Sequence, residues 1–193
     1  MQDVLTIALL VEELLDRMGV RHVVGGSLAS SLHGIPRATQ DIDFVADLRD
    51  EHVSELVRGL LPSFYVDEEA SREAVRDRTR FNAIHLETMF KVDVYVPERD
   101  AALDDQLARG RPYDVHTVHP GRLIVASPED TIVQKLRWFR LGDEVSERQW
   151  RDAAGVIKVQ GDRLDAEYLT RAADRLGVGD LLDRVLRETG SQE

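Results

Sequence analysis

Apolar residues recur at three- and four-residue intervals through Val4, Leu5, Ala8, Val11, Leu14, Leu15 and Met18, with Glu12, Glu13 and Asp16 between them. That spacing predicts an amphipathic helix over 3–18, ended by Gly19. His22 to Gly26 reads as a short buried strand running into a glycine turn, and 27–32 as a helix with Ser27 as its N-cap, stopped by Gly34 and Pro36. Residues 41–46 alternate, Ile42, Phe44 and Ala46 on one face and both aspartates on the other, which predicts a strand. Helices are expected over 50–60 and 68–78, strands over 81–86 and 90–96, and a helix over 99–109. Short strands at 115–118 and 123–125 should flank a turn at Pro120–Gly121.

From Ser127 the pattern changes. Ser127–Pro128–Glu129 has the form of an N-cap followed by proline at the first helical position, and the rest reads as helices broken at Gly142, Gly161 and Gly177–Gly179. The expectation is an α+β fold, a mixed sheet flanked by helices over residues 1–126, with a helical C-terminal extension over 127–193 packed on it.

Composition narrows the chemistry. Of 193 residues, 42% are hydrophobic, enough for a core, and the formal net charge is −11. There is no cysteine, which removes disulfides, thiolate metal sites and a cysteine nucleophile. No apolar run reaches the roughly 18 to 20 residues of a membrane span, and Met1–Gln2–Asp3 lacks a basic leader, so the expectation is a cytoplasmic protein with no membrane partner. An acidic chain is also a poor general binder of nucleic-acid phosphates, although the stretch 71–80 holds Arg72, Arg76, Arg78 and Arg80.

Three carboxylates sit on predicted strands. Residues two apart in a strand share a face, so Asp41 and Asp43 point together, as do Lys91, Asp93 and Tyr95. If the two strands are neighbours, three hard oxygen donors converge, a set suited to Mg2+ or Mn2+. Upstream, Gly25–Gly26–Ser27 joins a strand to a helix, where free backbone N–H groups offer a seat for an anionic phosphate.

Gly26–Ser27, a helix, Asp41–Ile42–Asp43 and a later Asp93 resemble the signature of the nucleotidyltransferase superfamily of the DNA-polymerase-beta type. More narrowly the chain resembles AbiEii-type nucleotidyltransferase-like toxins through Lys91–Val92–Asp93 and the Asp130 to Lys135 spacing. A further motif, Asp-x-x-Asp, is half present, Asp152 being followed by Gly155. The resemblance implies transfer of a nucleoside monophosphate from an NTP to a hydroxyl, with Asp41, Asp43 and Asp93 as catalytic metal ligands. It implies that Gly26 and Ser27 hold the terminal phosphates and that Lys135 reaches the nucleotide. Only three lysines stand against 22 arginines, and Lys91 and Lys135 are two of them. Arg37 and Thr39 either cap the turn before Asp41 or touch the nucleotide. Lys91 and Asp152 complete the candidate substrate-binding set, with Asp152 also readable as a surface acid paired to Arg148 or Arg151.

The acceptor is open at this level. The toxin resemblance and the arginine run suggest a tRNA end, whereas the net charge favours a protein or small-molecule hydroxyl. A cognate toxin or antitoxin partner, an antitoxin that modifies its partner, antibiotic modification and a silent NTP-binding module are the alternatives. Among other candidates, His116 and His119 read as structural, Trp138 and Trp150 as core, and His33 is the one histidine near the glycine turn.

Overall fold

In the computed structural model, residues 2–116 and 120–190 are described. Contacts group the chain into two units, Met1–Gly25 with Ala38–Val125, and Gly26–Arg37 with Ala126–Glu193. The segment Gly26–Arg37 groups with the C-terminal helices, a grouping that no linear split of the chain produces.

The first unit holds a seven-stranded sheet. Its strands are β1 (His22–Val24), β2 (Asp41–Ala46), β3 (Phe64–Tyr65), β4 (Arg80–His85), β5 (Lys91–Tyr95), β6 (Arg111–Val115) and β7 (Gly121–Val125), in the order β3-β4-β5-β2-β1-β7-β6. The pairs β2–β5 and β1–β7 are parallel and the other four are antiparallel. Four helices belong to this unit: α1 (Gln2–Arg17), α3 (Asp50–Leu60), α4 (Glu68–Arg76) and α5 (Ala101–Ala108). Register aligns Ala83, Val92 and Ile42 in one row and Phe81, Val94, Phe44 and Val24 in the next, all buried on one sheet face. The apolar stripes of α1 and α3 meet closely, since a Cβ on Gly59 would stand 2.6 Å from the Leu14 side chain.

Both edge strands escape simple periodicity. The strand expected at 115–118 is instead β6 at Arg111–Val115, overlapping it only at Val115; Thr117 and Val118 lie outside the described residues, as does His119. β6 pairs only with β7 and its first four side chains are exposed, so no apolar alternation marks it. β3, two residues long at the other edge, is too short to carry a period.

The second unit is helical: α2 (Gly26–His33), α6 (Pro128–Leu141), α7 (Glu147–Gln160), α8 (Ala166–Arg175) and α9 (Gly179–Gly190), with a 3-10 turn at Gly161–Arg163. Ile132, Leu136, Phe139, Val156, Leu169, Leu182 and Val185 anchor its core. α2 and α7 approach so closely that a Cβ on Gly34 would lie 2.7 Å from the Val156 backbone nitrogen. Ser127 caps α6, accepting from the Asp130 backbone N–H at 3.0 Å, and its hydroxyl donates to the Asp130 carboxylate at 2.6 Å. Asp130 also accepts from the Tyr168 hydroxyl at 2.7 Å, and Glu129 from the backbone N–H of Asp165 at 2.8 Å, so the buried first turn of α6 is tied to α8.

Candidate active site

In the first unit the parallel ladder of β2 and β5 sets Asp43 directly beside Asp93 and Asp41 beside Lys91. Partners in register share a face, so Asp41, Asp43 and Asp93 project from the same side of the sheet, opposite the face that carries Ile42, Phe44, Val92 and Val94. Antiparallel β4 adds Asn82 beside Asp93 and Arg80 beside Tyr95 on that side. Alternation in the sequence sends each aspartate away from the core, and the parallel β2–β5 pairing brings them together.

The charges around them are graded. Asp93 is only 5% exposed, whereas Asp41 is open to solvent. A buried carboxylate beside a second carboxylate is costly unless a cation offsets it. Lys91 does so, its ammonium standing 2.8 Å from the Asp93 carboxylate and 3.8 Å from that of Asp41. The hydrogen bond to Asp93 raises the Lys91 pKa, so it is fully charged at neutral pH. Arg80 donates to the Tyr95 hydroxyl at 3.1 Å, which holds its own pKa up, with Asp93 and Asp43 adding to the effect. Burial, then the negative field of Asp43 and Asp93, pushes the Tyr95 phenol up. Hard carboxylate oxygens on one sheet face, with a cation already drawn to them, form a donor set that fits Mg2+ or Mn2+.

In the second unit, the Ser27 hydroxyl accepts from Arg37 at 2.5 Å and from the Lys135 ammonium at 3.3 Å. Arg37 closes a bidentate pair with Asp152, Nε to Oδ1 and Nη2 to Oδ2, both at 2.9 Å. Lys135 stands 2.8 Å from the same Asp152 oxygen, and the Ser30 hydroxyl donates to it at 3.3 Å. Burial pushes the Asp152 carboxyl up, but the hydrogen bonds from Arg37 and Lys135 outweigh this and hold it below the usual range. Two cations and a hydroxyl thus gather at the start of α2, where the helix also presents its first backbone N–H groups.

Several expectations change here. α2 begins at Gly26, which has a φ of +57°, rather than with Ser27 as N-cap; the Ser27 hydroxyl is engaged by Arg37 and Lys135 instead. Asp152 is neither a surface acid nor a partner of Arg151, which pairs with Glu147. It binds Arg37, Lys135 and Ser30, and its hydrogen bonds fix the two cations. Lys135 is 4% exposed and pairs with Asp152. Thr39 donates to the Asp41 carbonyl and accepts from the Asp41 N–H, which makes it a turn residue. The His33 ring bonds the Ala126 carbonyl at 2.7 Å. Trp138 is 45% exposed rather than in the core, because it lies off the buried stripe of Ile132, Leu136 and Phe139 on α6; Trp150 packs against Phe139 and under Arg184. Ser30 and Asn82 were missed: the first repeats Ser27 one helical turn on, and the second is placed only by the β4–β5 register.

No protein-family model matches the chain, and no curated protein matches its sequence. Solved structures do. An antigenic nucleotidyltransferase-like protein from Paracoccidioides brasiliensis is 16% identical with a TM-score of 0.54, the match covering 94% of this chain and 90% of that one. The solution structure of the antibiotic-resistance factor ANT(2'')-Ia is 15% identical with a TM-score of 0.56 over all of both chains. A crystal structure of ANT(2'')-Ia with adenylyl-2''-tobramycin is 18% identical with a TM-score of 0.54, covering 89% of this chain and 95% of that one. The mixed sheet flanked by helices, followed by C-terminal helices, agrees with these structures and shows that the chain has an α+β fold of the same architecture.

Proposed function

We propose that this protein transfers a nucleotidyl group from an NTP to a hydroxyl, with pyrophosphate as the leaving group. The observation that carries the proposal is the register of β2 against β5, which lines up Asp43 with Asp93 and sets Asp41 on the same face. These three side chains would hold Mg2+ or Mn2+, which when bound offsets the charge on the triphosphate and favours the acceptor alkoxide. Lys91 pairs with Asp93 at 2.8 Å and holds it in place beside Asp43. Within the second unit, Gly26, Ser27, Arg37 and Lys135 gather N–H, hydroxyl and cationic groups of the kind that take anionic phosphates, and Asp152 holds Arg37 and Lys135.

The acceptor in this proposal is a small cationic molecule bearing a hydroxyl. The toxin-like resemblance implies a tRNA end, for which the Arg72–Arg80 stretch would be the contact. Those arginines are already engaged: Arg72 with Asp50 and Glu68, Arg76 with Asp50, Arg78 with the Leu48 carbonyl and Arg80 with Tyr95. With Arg72 and Arg76 paired to carboxylates and a net charge of −11, the chain favours a cation over a polyanion. ANT(2'')-Ia, which shares the fold, is an antibiotic-resistance factor crystallised with an adenylylated tobramycin.

The test is pyrophosphate release from each of the four NTPs with Mg2+, against aminoglycosides, bulk tRNA and a panel of candidate partner proteins, with Asp43→Asn alongside. Release that needs the metal, an aminoglycoside-like acceptor and Asp43 is the expected result. Release driven by tRNA or by a protein would move the acceptor to a toxin or antitoxin role. Undiminished release by Asp43→Asn, or NTP binding with no release for any acceptor, would overturn nucleotidyl transfer.

A further inference from the structure

A second polar cluster in the first unit lies on the other face of the sheet. His22 pairs with Ala46, so its side chain shares the face of Phe44, against whose ring it packs at 6.1 Å, while Asp41 and Asp43 point the opposite way. Along β2 the two positions are also offset, Ala46 lying three residues, about 10 Å, beyond Asp43. Here His22 meets Glu12 and Asp16, which are four apart on α1 and so project from one side of that helix. One ligand atom from each of the three falls within 4.8 Å of the other two.

The local chemistry calls for a cation. His22 Nδ1 lies 2.8 Å from the Val20 carbonyl, which can only accept, so Nδ1 carries a proton and Nε2 faces the Glu12 carboxylate. Nε2 and Glu12 Oε1 are 3.1 Å apart, a separation that either a proton on Nε2 or a metal ion between the two atoms satisfies. The separation is slightly under the roughly 3.3–3.4 Å between two tetrahedral ligands at bond lengths near 2.0–2.1 Å on one zinc ion, so a small outward shift of either side chain admits the metal. Glu12 is 1% exposed, and among the described residues its Oε2 has no hydrogen-bond partner. An imidazole oriented through Nδ1 by a backbone carbonyl is also the arrangement that steadies metal-binding histidines. Asp16 and His22 line a cavity of about 470 Å³, walled further by Arg21, Leu107 and Ile124.

We propose that Glu12, Asp16 and His22 form a binding site for a divalent transition-metal ion of the Zn2+ class, with its remaining coordination positions open to this cavity for water or a small anion. One imidazole nitrogen with two carboxylates suits Zn2+ better than Mg2+, which takes oxygen ligands. The site is independent of nucleotidyl transfer. Asp16 is exposed and the other two are buried, so Asp16 is the ligand on the solvent side of the set.

The experiment titrates the full chain with Zn2+ in excess Mg2+, which occupies all-oxygen sites, and follows the imidazole nitrogens by long-range 1H–15N spectra. The expected result is a shift of the His22 nitrogens, complete at one equivalent, with an affinity from chelator competition that falls at least about tenfold in Asp16→Ala. Asp16 is itself exposed to solvent, so that substitution leaves the fold in place, which the spectrum itself reports. His22 nitrogens unmoved at saturating Zn2+, or an affinity equal in Asp16→Ala, would overturn the site. Either outcome is read without measuring transferase activity, so it stands apart from the test of that function.

Discussion

Asp43 and Asp93 stand side by side across a parallel ladder, and the lysine two residues before Asp93 in its strand is bonded to that carboxylate. Adjacent like charges in a sheet oppose folding. Side by side the two carboxylates carry a cost that Lys91 helps to offset, and a cation bound there would offset it further. A site that weakens the fold until its ligand arrives has a signature in both activity and stability.

Asp43→Asn is expected to lower nucleotidyl transfer by roughly 100- to 1000-fold, the several kcal/mol that metal-assisted charge stabilisation contributes. The same change relieves the repulsion with Asp93 and should raise stability by up to about 1 kcal/mol, a Tm increase of roughly 2–4 °C for a chain of this size. Scanning calorimetry beside the pyrophosphate assay checks both halves. A fall in Tm would show that the carboxylates are not in repulsive register.

Lys135 is enclosed between Ser27 and Asp152, where a compact ammonium reaches both. A guanidinium is larger and planar, and placing it there crowds a packed position at about 1–3 kcal/mol. Lys135→Arg should therefore raise KM for the NTP about tenfold or more. Nucleotide binding by titration calorimetry is the check, and wild-type affinity in this variant would remove Lys135 from nucleotide binding.

Asp152 links stability to acid pH. Its folded pKa is depressed, so the unfolded chain binds the proton more tightly. The contribution is fully present above the ordinary carboxylate value of about 4 and is lost as pH falls from there through the folded value. Urea unfolding from pH 6 down to pH 3 should show this loss in the native chain and a flatter profile in Asp152→Asn. At neutral pH that variant strands two cations and should lose about 2–4 kcal/mol, below the usual range for a wholly buried pair because Arg37 keeps some solvent contact.

Gly34 marks the closest approach of α2 to α7. An added Cβ would meet the Val156 nitrogen at 2.7 Å, the Gly155 carbonyl carbon at 2.9 Å and the Ser30 oxygen at 3.0 Å, all of them backbone atoms that cannot rotate aside. Gly34→Ala should cost about 2–3 kcal/mol and loosen the Ser27–Arg37–Asp152 network, since Asp152 rides on α7 and Ser27 on α2. Denaturant unfolding measures the first effect. An unchanged midpoint would mean that the two helices separate at little cost.

Strands such as β2 and β5 are legible from residues 41–46 and 91–95 because alternation is a local property, forced by the backbone and by one buried face. The same holds for the amphipathic stripes of α1 and α3 and for the Ser127–Pro128 start of α6. Periodicity also tells that Asp41 and Asp43 share a side, as do Lys91 and Asp93. It does not tell which strands are neighbours, because pairing joins residues some fifty positions apart through backbone groups that are alike in every residue. Only the tertiary structure decides that Asp43 lies beside Asp93, that Asp152 belongs to Arg37 and Lys135, and that Glu12 on α1 meets His22 on β1. Edge strands β3 and β6 are illegible for a related reason: each has one neighbour, β3 is too short to show a period, and β6 exposes four of its five side chains. Local order in this protein follows from local patterning, and its candidate chemistry follows from long-range pairing.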